Sequence, residues 1–510
     1  MKIIFYQNST FLPTFGKLSP KNFAHKKIYV TFVNQHNKLF MNKLIGRKRE
    51  IAELKRCCES NQSEFVIVYG RRRIGKTYLV RQFTRDKYAF SYVGVRDIST
   101  RQQLDNFALA LQQYSKSPFA PALATWMEAF RQLRLLLERN SGRKIIFIDE
   151  MPWMDKAKSD FVSALETFWN GWAAAQGNIC LIACGSATSW MTEKLIYNTA
   201  GLHNRITSRI YLRPFTLAEV EEYLEALGCR WDRFQMAQCY MAMGGVPYYL
   251  SLIRPNNSLM QNIDRLYFHK NAELREEFYE LYYSLFKNAS RYIDVVKTLS
   301  TRRQGMTRQE ISQRLKITGS GLSRILSHLE RCDIILGYSA FGNKKNNVIY
   351  RLTDFYTLFY LHFVAQERSQ DEQWWEHNMN SPRVRAWQGF SFELLCLLHL
   401  PQIKRCLSIG GIATTTSSWR SNNTEHHYQI DMVIDRDDRI INLCEMKFSA
   451  NRYVIDKEYE MLLRDRMAWF VAETKTRKSP VITMITTYGI MQNKHSGVVQ
   501  NEVLLDSLFT

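Results

Sequence analysis

The chain has 510 residues, 45% of them hydrophobic and 13% aromatic, and a formal charge of +21. It is too long for one core, so roughly three domains are expected. Its apolar content excludes a disordered chain, and no apolar run reaches the ~18–20 residues of a membrane span. The positive surplus favours contact with a polyanion, with general solubility as the alternative.

Residues 1–40 carry no apolar signal-peptide core and no clear periodicity. They are expected to be an extension without defined structure, with Met41 a candidate start. The ten cysteines (57, 58, 180, 184, 229, 239, 332, 396, 406 and 444) form no CxxC pair and no zinc spacing. Several lie within apolar runs, as small core residues do, which suits a reducing cytoplasm.

The segment from Ile45 to Lys55 reads as a turn entering an amphipathic helix. An apolar strand from Glu64 follows, then Gly70-Arg71-Arg72-Arg73-Ile74-Gly75-Lys76-Thr77-Tyr78 with a helix that starts near Gly75. This fits the P-loop pattern G-x-x-x-x-G-K-[ST]. Gly70 and Gly75 let backbone N–H groups turn toward an anion, and the helix start aims its positive dipole end at the same point. Lys76 can reach β- and γ-phosphates, and the Thr77 hydroxyl can ligate Mg²⁺. The stretch is therefore read as an ATP site.

Ala89–Val93 predicts a second strand, and helices are expected near Leu104–Tyr114 and Thr125–Arg139. Lys144–Asp149 is a continuous apolar run ending in Asp149 and Glu150, as a parallel strand buried on both faces requires. Asp149 can hold Mg²⁺, and Glu150 can polarise the attacking water. Asn178–Cys184 is the next buried strand. At its end Ser186 either reads the γ-phosphate, positions water or is a plain strand-end serine. Arg205 either completes a phosphate site in trans, which needs a homo-oligomer, or is a solvated strand-flank arginine. Strand and helix alternate, so an α/β fold with a doubly wound parallel sheet is expected, ATP lying at its carboxyl edge. Thr216-Leu217-Ala218-Glu219 is a capping box, and Gly244-Gly245-Val246-Pro247 is a helix stop.

Taken together, Arg47 to Glu50, the P-loop, the Asp149-Glu150 strand, Cys184-Gly185-Ser186 and the Gly-Gly-Val-Pro turn resemble the archaeal–bacterial ATPase family within the STAND-like AAA+ P-loop proteins. The resemblance covers roughly residues 42–280. It implies a helical lid in which Gly245 and Pro247 help close the nucleotide pocket.

Residues 290–352 change texture: a helix at Tyr292–Leu299, a capping box at Thr307 to Glu310, two short helices over Ile311–Leu315 and Ser320–Cys332, then strands at Ile334–Tyr338 and Asn347–Leu352 around a hairpin tip. The order resembles a winged helix. Its third helix would enter a DNA groove, with Lys344 and Lys345 on backbone phosphate; packing or protein contact is the alternative.

In the last part, Phe390 begins a helix carrying Glu393 near its start, and a Gly/Thr/Ser-rich stretch is read as loop. Tyr428–Asp435 and Ile440–Phe448 alternate as paired strands. Asp431 and Glu445 can share a divalent cation such as Mg²⁺ across the hairpin, and Glu393 can add an acid. Lys447, two residues on, shares Glu445's face and can stabilise a developing phosphorane. This resembles the PD-(D/E)xK restriction-endonuclease-like fold, with Ile430 where the family has proline. Asp435, Asp437 and Asp438 read as turn residues and His426 and His427 as polar loop. Trp374 and Trp375 either stack on bases or, more simply, pack at a domain seam. The expected division is extension 1–40, ATPase core 41–215, lid 216–285, winged helix 286–365 and nuclease-like domain 366–510.

Overall fold

The computed structural model describes residues 44–510 except 140, 158, 198–200, 203, 318, 343–347 and 422–427. The extension 1–40, Lys344, Lys345, His426 and His427 lie outside the described residues.

The first sheet contains β1 Glu64–Tyr69, β2 Phe90–Val93, β3 Lys144–Asp149, β4 Ile179–Gly185 and β5 Ser208–Tyr211, all parallel, in the order β2-β3-β4-β1-β5. Alternate residues of β1 enter different cores, which is why its sequence is apolar from Phe65 to Val68. Phe65 and Ile67 face α3 Thr100–Ser115, α4 Trp126–Leu137 and α5 Phe161–Gly171. Val66 and Val68 face α1 Lys48–Glu59 and α2 Lys76–Thr84. Helices thus cover both faces, as the alternating pattern predicts.

The second of these cores does not stop at the sheet. It continues through α6 Leu217–Leu227, α7 Arg233–Met243 and α8 Glu273–Leu285 into α9 Ala289–Ser300, α10 Arg308–Leu315 and α11 Ser320–Arg331. β6 Met306–Thr307, β7 Ile335–Ser339 and β8 Val348–Leu352 form a small antiparallel sheet in the order β6-β8-β7. The same core takes in α12 Phe355–Phe359 and α13 Pro382–Leu398. Trp374 and Trp375 are buried against Phe359, Phe363 and Trp387. They pack at a seam and are not stacking platforms.

The last sheet is mixed, ordered β13-β12-β11-β10-β9. β9 Thr414–Arg420, β10 Gln429–Arg436 and β11 Ile440–Lys447 are antiparallel. After α14 Lys457–Thr474, β12 Ser479–Thr486 and β13 Asn501–Leu504 continue in parallel. Two expectations need correction here. The Thr/Ser-rich stretch is strand β9, because β-branched threonines suit a pleated, half-buried edge. Glu393 lies in the last third of α13, which starts at Pro382 behind the Ser381 cap, eight residues before Phe390.

Candidate functional site

The P-loop leaves the carboxyl end of β1 with Gly70 at φ 147°. A Cβ there would lie 2.4 Å from the Leu212 carbonyl oxygen, so only glycine lets the loop pass β5. Lys76 is buried at the start of α2, and its Nζ donates to the Gly70 and Arg71 carbonyls at 2.9 and 2.8 Å. Ile74 is buried in the core, Arg72 is half-buried and Tyr78 is exposed. Thr77 Oγ1 donates to Asp149 Oδ2 at 2.6 Å, bringing together the two oxygen ligands expected of a Mg²⁺ site. A hydroxyl and a carboxylate at this spacing fit that ion.

Asp149 also accepts from the Glu150 N–H at 2.8 Å, and Glu150 sits in a left-handed conformation at φ 46°. Its carboxylate is held by Ser186, whose hydroxyl donates at 2.8 Å and whose N–H lies 3.3 Å away. Ser186 therefore touches the candidate base. Arg205 is exposed and forms no ion pair with a described residue.

Gly245 packs on the strand-exit segment, not into the loop. Its carbonyl accepts from Phe215 N at 2.6 Å, and a Cβ would fall 2.0 Å from the Phe215 oxygen. Pro247 opens the short helix Pro247–Ser251, and the next residue, Tyr248, approaches the P-loop: its N–H lies 3.4 Å from the Arg73 carbonyl. The Arg73 guanidinium stands 4.0 Å from the Tyr248 ring centroid and pairs with both Glu277 oxygens, at 3.1 and 2.9 Å. Arg71 is fully buried and donates to Asp354 at the start of α12. Burial opposes its charge, and the adjacent carboxylate more than offsets this, so its pKa is raised. Its Nε and second Nη have no hydrogen-bond partner among the described residues. Asp354 and Glu277 lie 283 and 204 residues from their partners. No local spacing announces either pair.

In the last sheet, the β10–β11 register pairs Met432 with Cys444. Asp431 precedes Met432 on β10 and Glu445 follows Cys444 on β11, so the two acids flank the end of this pairing. The β9–β10 register shifts between Ile430 and Val433, so a bulge falls at Asp431 and Met432. Burial and then the Asp431 charge push the Glu393 carboxyl up to about 8. Basic partners accompany them. Glu445 binds Lys447 Nζ at 2.9 Å, Arg466 at 2.7 Å and the Tyr459 hydroxyl at 2.7 Å. Burial pushes the Glu445 carboxyl up, yet Lys447 and Arg466 more than reverse this and hold it low. Arg351 of β8 lies 3.7 Å from Glu393. Among the described residues no three His, Cys, Asp or Glu are arranged to hold a metal ion. In this arrangement the acids do not fit a cation, because cationic side chains already balance them. Arg351, Arg466 and Tyr459 were not legible in the sequence.

Residues 44–253 match the family described as an ATPase domain predominantly from Archaea. This is an archaeal-type ATPase domain. An uncharacterized protein of Methanocaldococcus jannaschii is 23% identical over 334 residues, which span 64% of this chain and 70% of that protein. An uncharacterized ATP-binding protein of the same organism is 42% identical over 43 residues, 8% of this chain and 73% of that protein. Among solved structures, a Walker-type ATPase of Pyrococcus abyssi aligns with TM-score 0.45 and 17% identity, covering 62% of this chain and 96% of that one. The Aeropyrum pernix ORC2 protein in its ADPNP–ADP complexes gives TM-score 0.39 and 14% identity, covering 62% and 93%. Lys76, Thr77, Asp149, Glu150 and Ser186 all lie within the ATPase domain. No helix among the described residues is long and apolar enough to cross a membrane.

Proposed function

We propose that this protein is an ATP-hydrolysing switch of the STAND-like AAA+ type. In it, nucleotide at the P-loop sets the arrangement of a lid (216–285), a DNA-contacting winged helix (286–365) and a PD-(D/E)xK nuclease-like tail (366–510). The observation that carries this reading is the pair of P-loop arginines bound to distant elements: Arg73 to Glu277 in the lid, and Arg71 to Asp354 just after β8. A loop that cradles phosphate cannot shift without pulling on both.

Lys76 and the loop N–H groups bind the β- and γ-phosphates. Thr77 and Asp149 would hold Mg²⁺, which would supply charge neutralisation on those phosphates. Glu150 orients the attacking water and takes its proton, and Ser186 orients Glu150. Strand order β2-β3-β4-β1-β5 with a helical lid supports the AAA+ assignment. The succession α13, β9, β10, β11, α14, β12, with Asp431, Glu445 and Lys447 on adjacent strands, supports the nuclease-like tail. The amino-terminal turn of α11 presents Ser320, Ser323 and Arg324 to solvent, where they can meet a DNA backbone. The other end of α11 binds the ATPase domain: Arg331 donates to Thr192 at 3.0 Å, and His328 lies 3.0 Å from Glu193.

Calorimetric titration with ATP tests the proposal. Lys76→Ala should weaken binding about a hundredfold, and Glu150→Gln should keep binding while abolishing turnover. Undiminished ATP affinity in Lys76→Ala would overturn it. A second reading, in which the tail is a non-catalytic binding module, is favoured by the cations around Glu393 and Glu445. Plasmid cleavage with Mg²⁺ separates the two: loss of nicking in Asp431→Ala supports a nuclease, and no difference supports the module. A role for Arg205 in trans requires an oligomer; a protein that stays monomeric with ATP analogue while fully active excludes it.

A further inference from the structure

Of the ten cysteines, Cys58 and Cys180 meet with their sulfurs 3.8 Å apart. They lie 122 residues apart in the chain and come from different elements, Cys58 from the last turn of α1 and Cys180 from the start of β4. Cys58 is half-buried, whereas Cys180 is wholly buried. Two thiols in contact are ordinary core packing when both are inert. The surroundings make these two unequal.

The backbones that carry the pair are fixed against each other. Arg143, just before β3, spreads its guanidinium over backbone carbonyls on both sides. It donates to Cys57 and Cys58 at the end of α1, at 2.6 and 3.1 Å, to Gln62 at 2.7 Å, and to Gly177, ahead of β4, at 3.1 Å. Gly177 also abuts the segment after α1: a Cβ there would lie 3.5 Å from the Asn61 carbonyl oxygen. With both chains held, side-chain rotation is enough to bring the sulfurs to the separation of about 2 Å that a disulfide requires.

The contacts also assign roles. The S–H of Cys180 and, after it, the Arg143 charge hold the Cys58 thiol below its usual range, against burial and Glu59. The same sulfur contact and burial push the Cys180 thiol up. Cys58 is thus the readier thiolate and the one that solvent reaches, and Cys180 keeps its proton beside it.

We propose that Cys58 and Cys180 are an oxidisable pair, which a small hydroperoxide converts to a disulfide that clasps the end of α1 to β4. The Cys58 thiolate attacks one oxygen of hydrogen peroxide, the O–O bond breaks, and the other oxygen leaves with a proton as water, giving Cys58–SOH. The Cys180 sulfur then attacks the Cys58 sulfur. Its proton goes to the departing hydroxide, so a second water leaves and the S–S bond forms. In all, the two thiols give up two electrons and two protons, which reduce one O–O bond.

The test treats the full, reduced chain with a single equivalent of hydrogen peroxide and blocks free thiols with iodoacetamide. Peptides are then mapped without reduction, with fragmentation to tell Cys57 from Cys58 and Cys180 from Cys184. The expected product is a Cys58–Cys180 cross-link, two hydrogens lighter and reopened by dithiothreitol. Cys58 should be consumed about tenfold faster than Cys406, which is more exposed but whose sulfur meets the Ser507 hydroxyl instead of a thiol. Cys180→Ala should leave Cys58 as a sulfenic acid that dimedone traps. Cys58→Ser should leave Cys180 unmodified, and it carries the test if Cys180→Ala does not fold. A bond from Cys57 to either partner would overturn the proposal, as would Cys406 reacting as fast as Cys58 or faster. Peroxide consumed elsewhere with Cys58 left intact would overturn it too.

Discussion

Glu150 occupies a backbone conformation that costs a non-glycine residue about 1 kcal/mol, and two contacts keep it there. Its N–H is fixed on Asp149, and its carboxylate is fixed on Ser186. The strained residue is thus pinned between a candidate metal ligand and a strand-end hydroxyl. A hydrogen bond to a charged group contributes roughly 1.5–3 kcal/mol. Ser186→Ala is therefore expected to slow ATP hydrolysis about tenfold in single-turnover measurements while changing ATP affinity by no more than about twofold. The sign of the split matters. A parallel fall in affinity would place Ser186 on the γ-phosphate, the other role its position allows.

Among the helices, α6 and α13 meet through one imidazole. His399 is buried, accepts from Leu217 N at 3.0 Å through Nε2, and donates through Nδ1 to the Leu395 carbonyl at 2.9 Å. These bonds require the neutral ring, and burial pushes its pKa down to about 4 from 6.5. The unfolded chain then binds the extra proton between those values. The stabilising contribution is complete above about pH 6.5 and is lost as pH falls toward 4, amounting to at most about 3 kcal/mol. His399→Gln can keep one acceptor and one donor, so its urea-denaturation stability should fall less steeply between pH 7 and 5; parallel curves would assign the acid loss to another group. Nothing local marks His399, and this sets the limit of what the sequence makes legible. The P-loop, the Asp149-Glu150 strand, the capping boxes at Thr216 and Thr307 and the helical spacing of Leu322, Ile325, Leu326 and Leu329 are short-range patterns, and the structure places each as expected. β9 was hidden because its Thr and Ser residues also suit a loop, and α13 because its weak amphipathicity conceals its start. The acid cluster was half legible: Asp431, Glu445 and Lys447 follow strand periodicity, while Arg351 and Arg466 arrive only through tertiary packing.

Across residues 44–510, one apolar core passes from the α1–α2 face of the ATPase sheet through α6–α8 and α9–α11 to α13. Arg71 and Asp354 sit inside it, 1% and 4% exposed. A charge pair there stabilises little by itself, but a lone partner is costly. Asp354 also caps α12, accepting from the Thr357 N–H at 3.1 Å and from its hydroxyl at 2.6 Å. Asp354→Asn can preserve an acceptor for that cap while stranding the guanidinium, and should cost about 3–5 kcal/mol of stability. Arg71→Met leaves the carboxylate with its Thr357 bonds and should cost less. The double variant should recover about 1.5 kcal/mol or more relative to the sum of the two, read by chemical denaturation. Communication is tested on that double variant, whose fold is expected to survive because neither buried charge is left alone. In the unaltered protein, an ATP analogue is expected to slow hydrogen exchange both in the P-loop and in residues 355–359. With Arg71→Met and Asp354→Asn combined, protection of the P-loop should remain and that of 355–359 should disappear. If it persists, the nucleotide signal reaches residues 355–359 through Arg73 and Glu277 instead, and α8 becomes the lever.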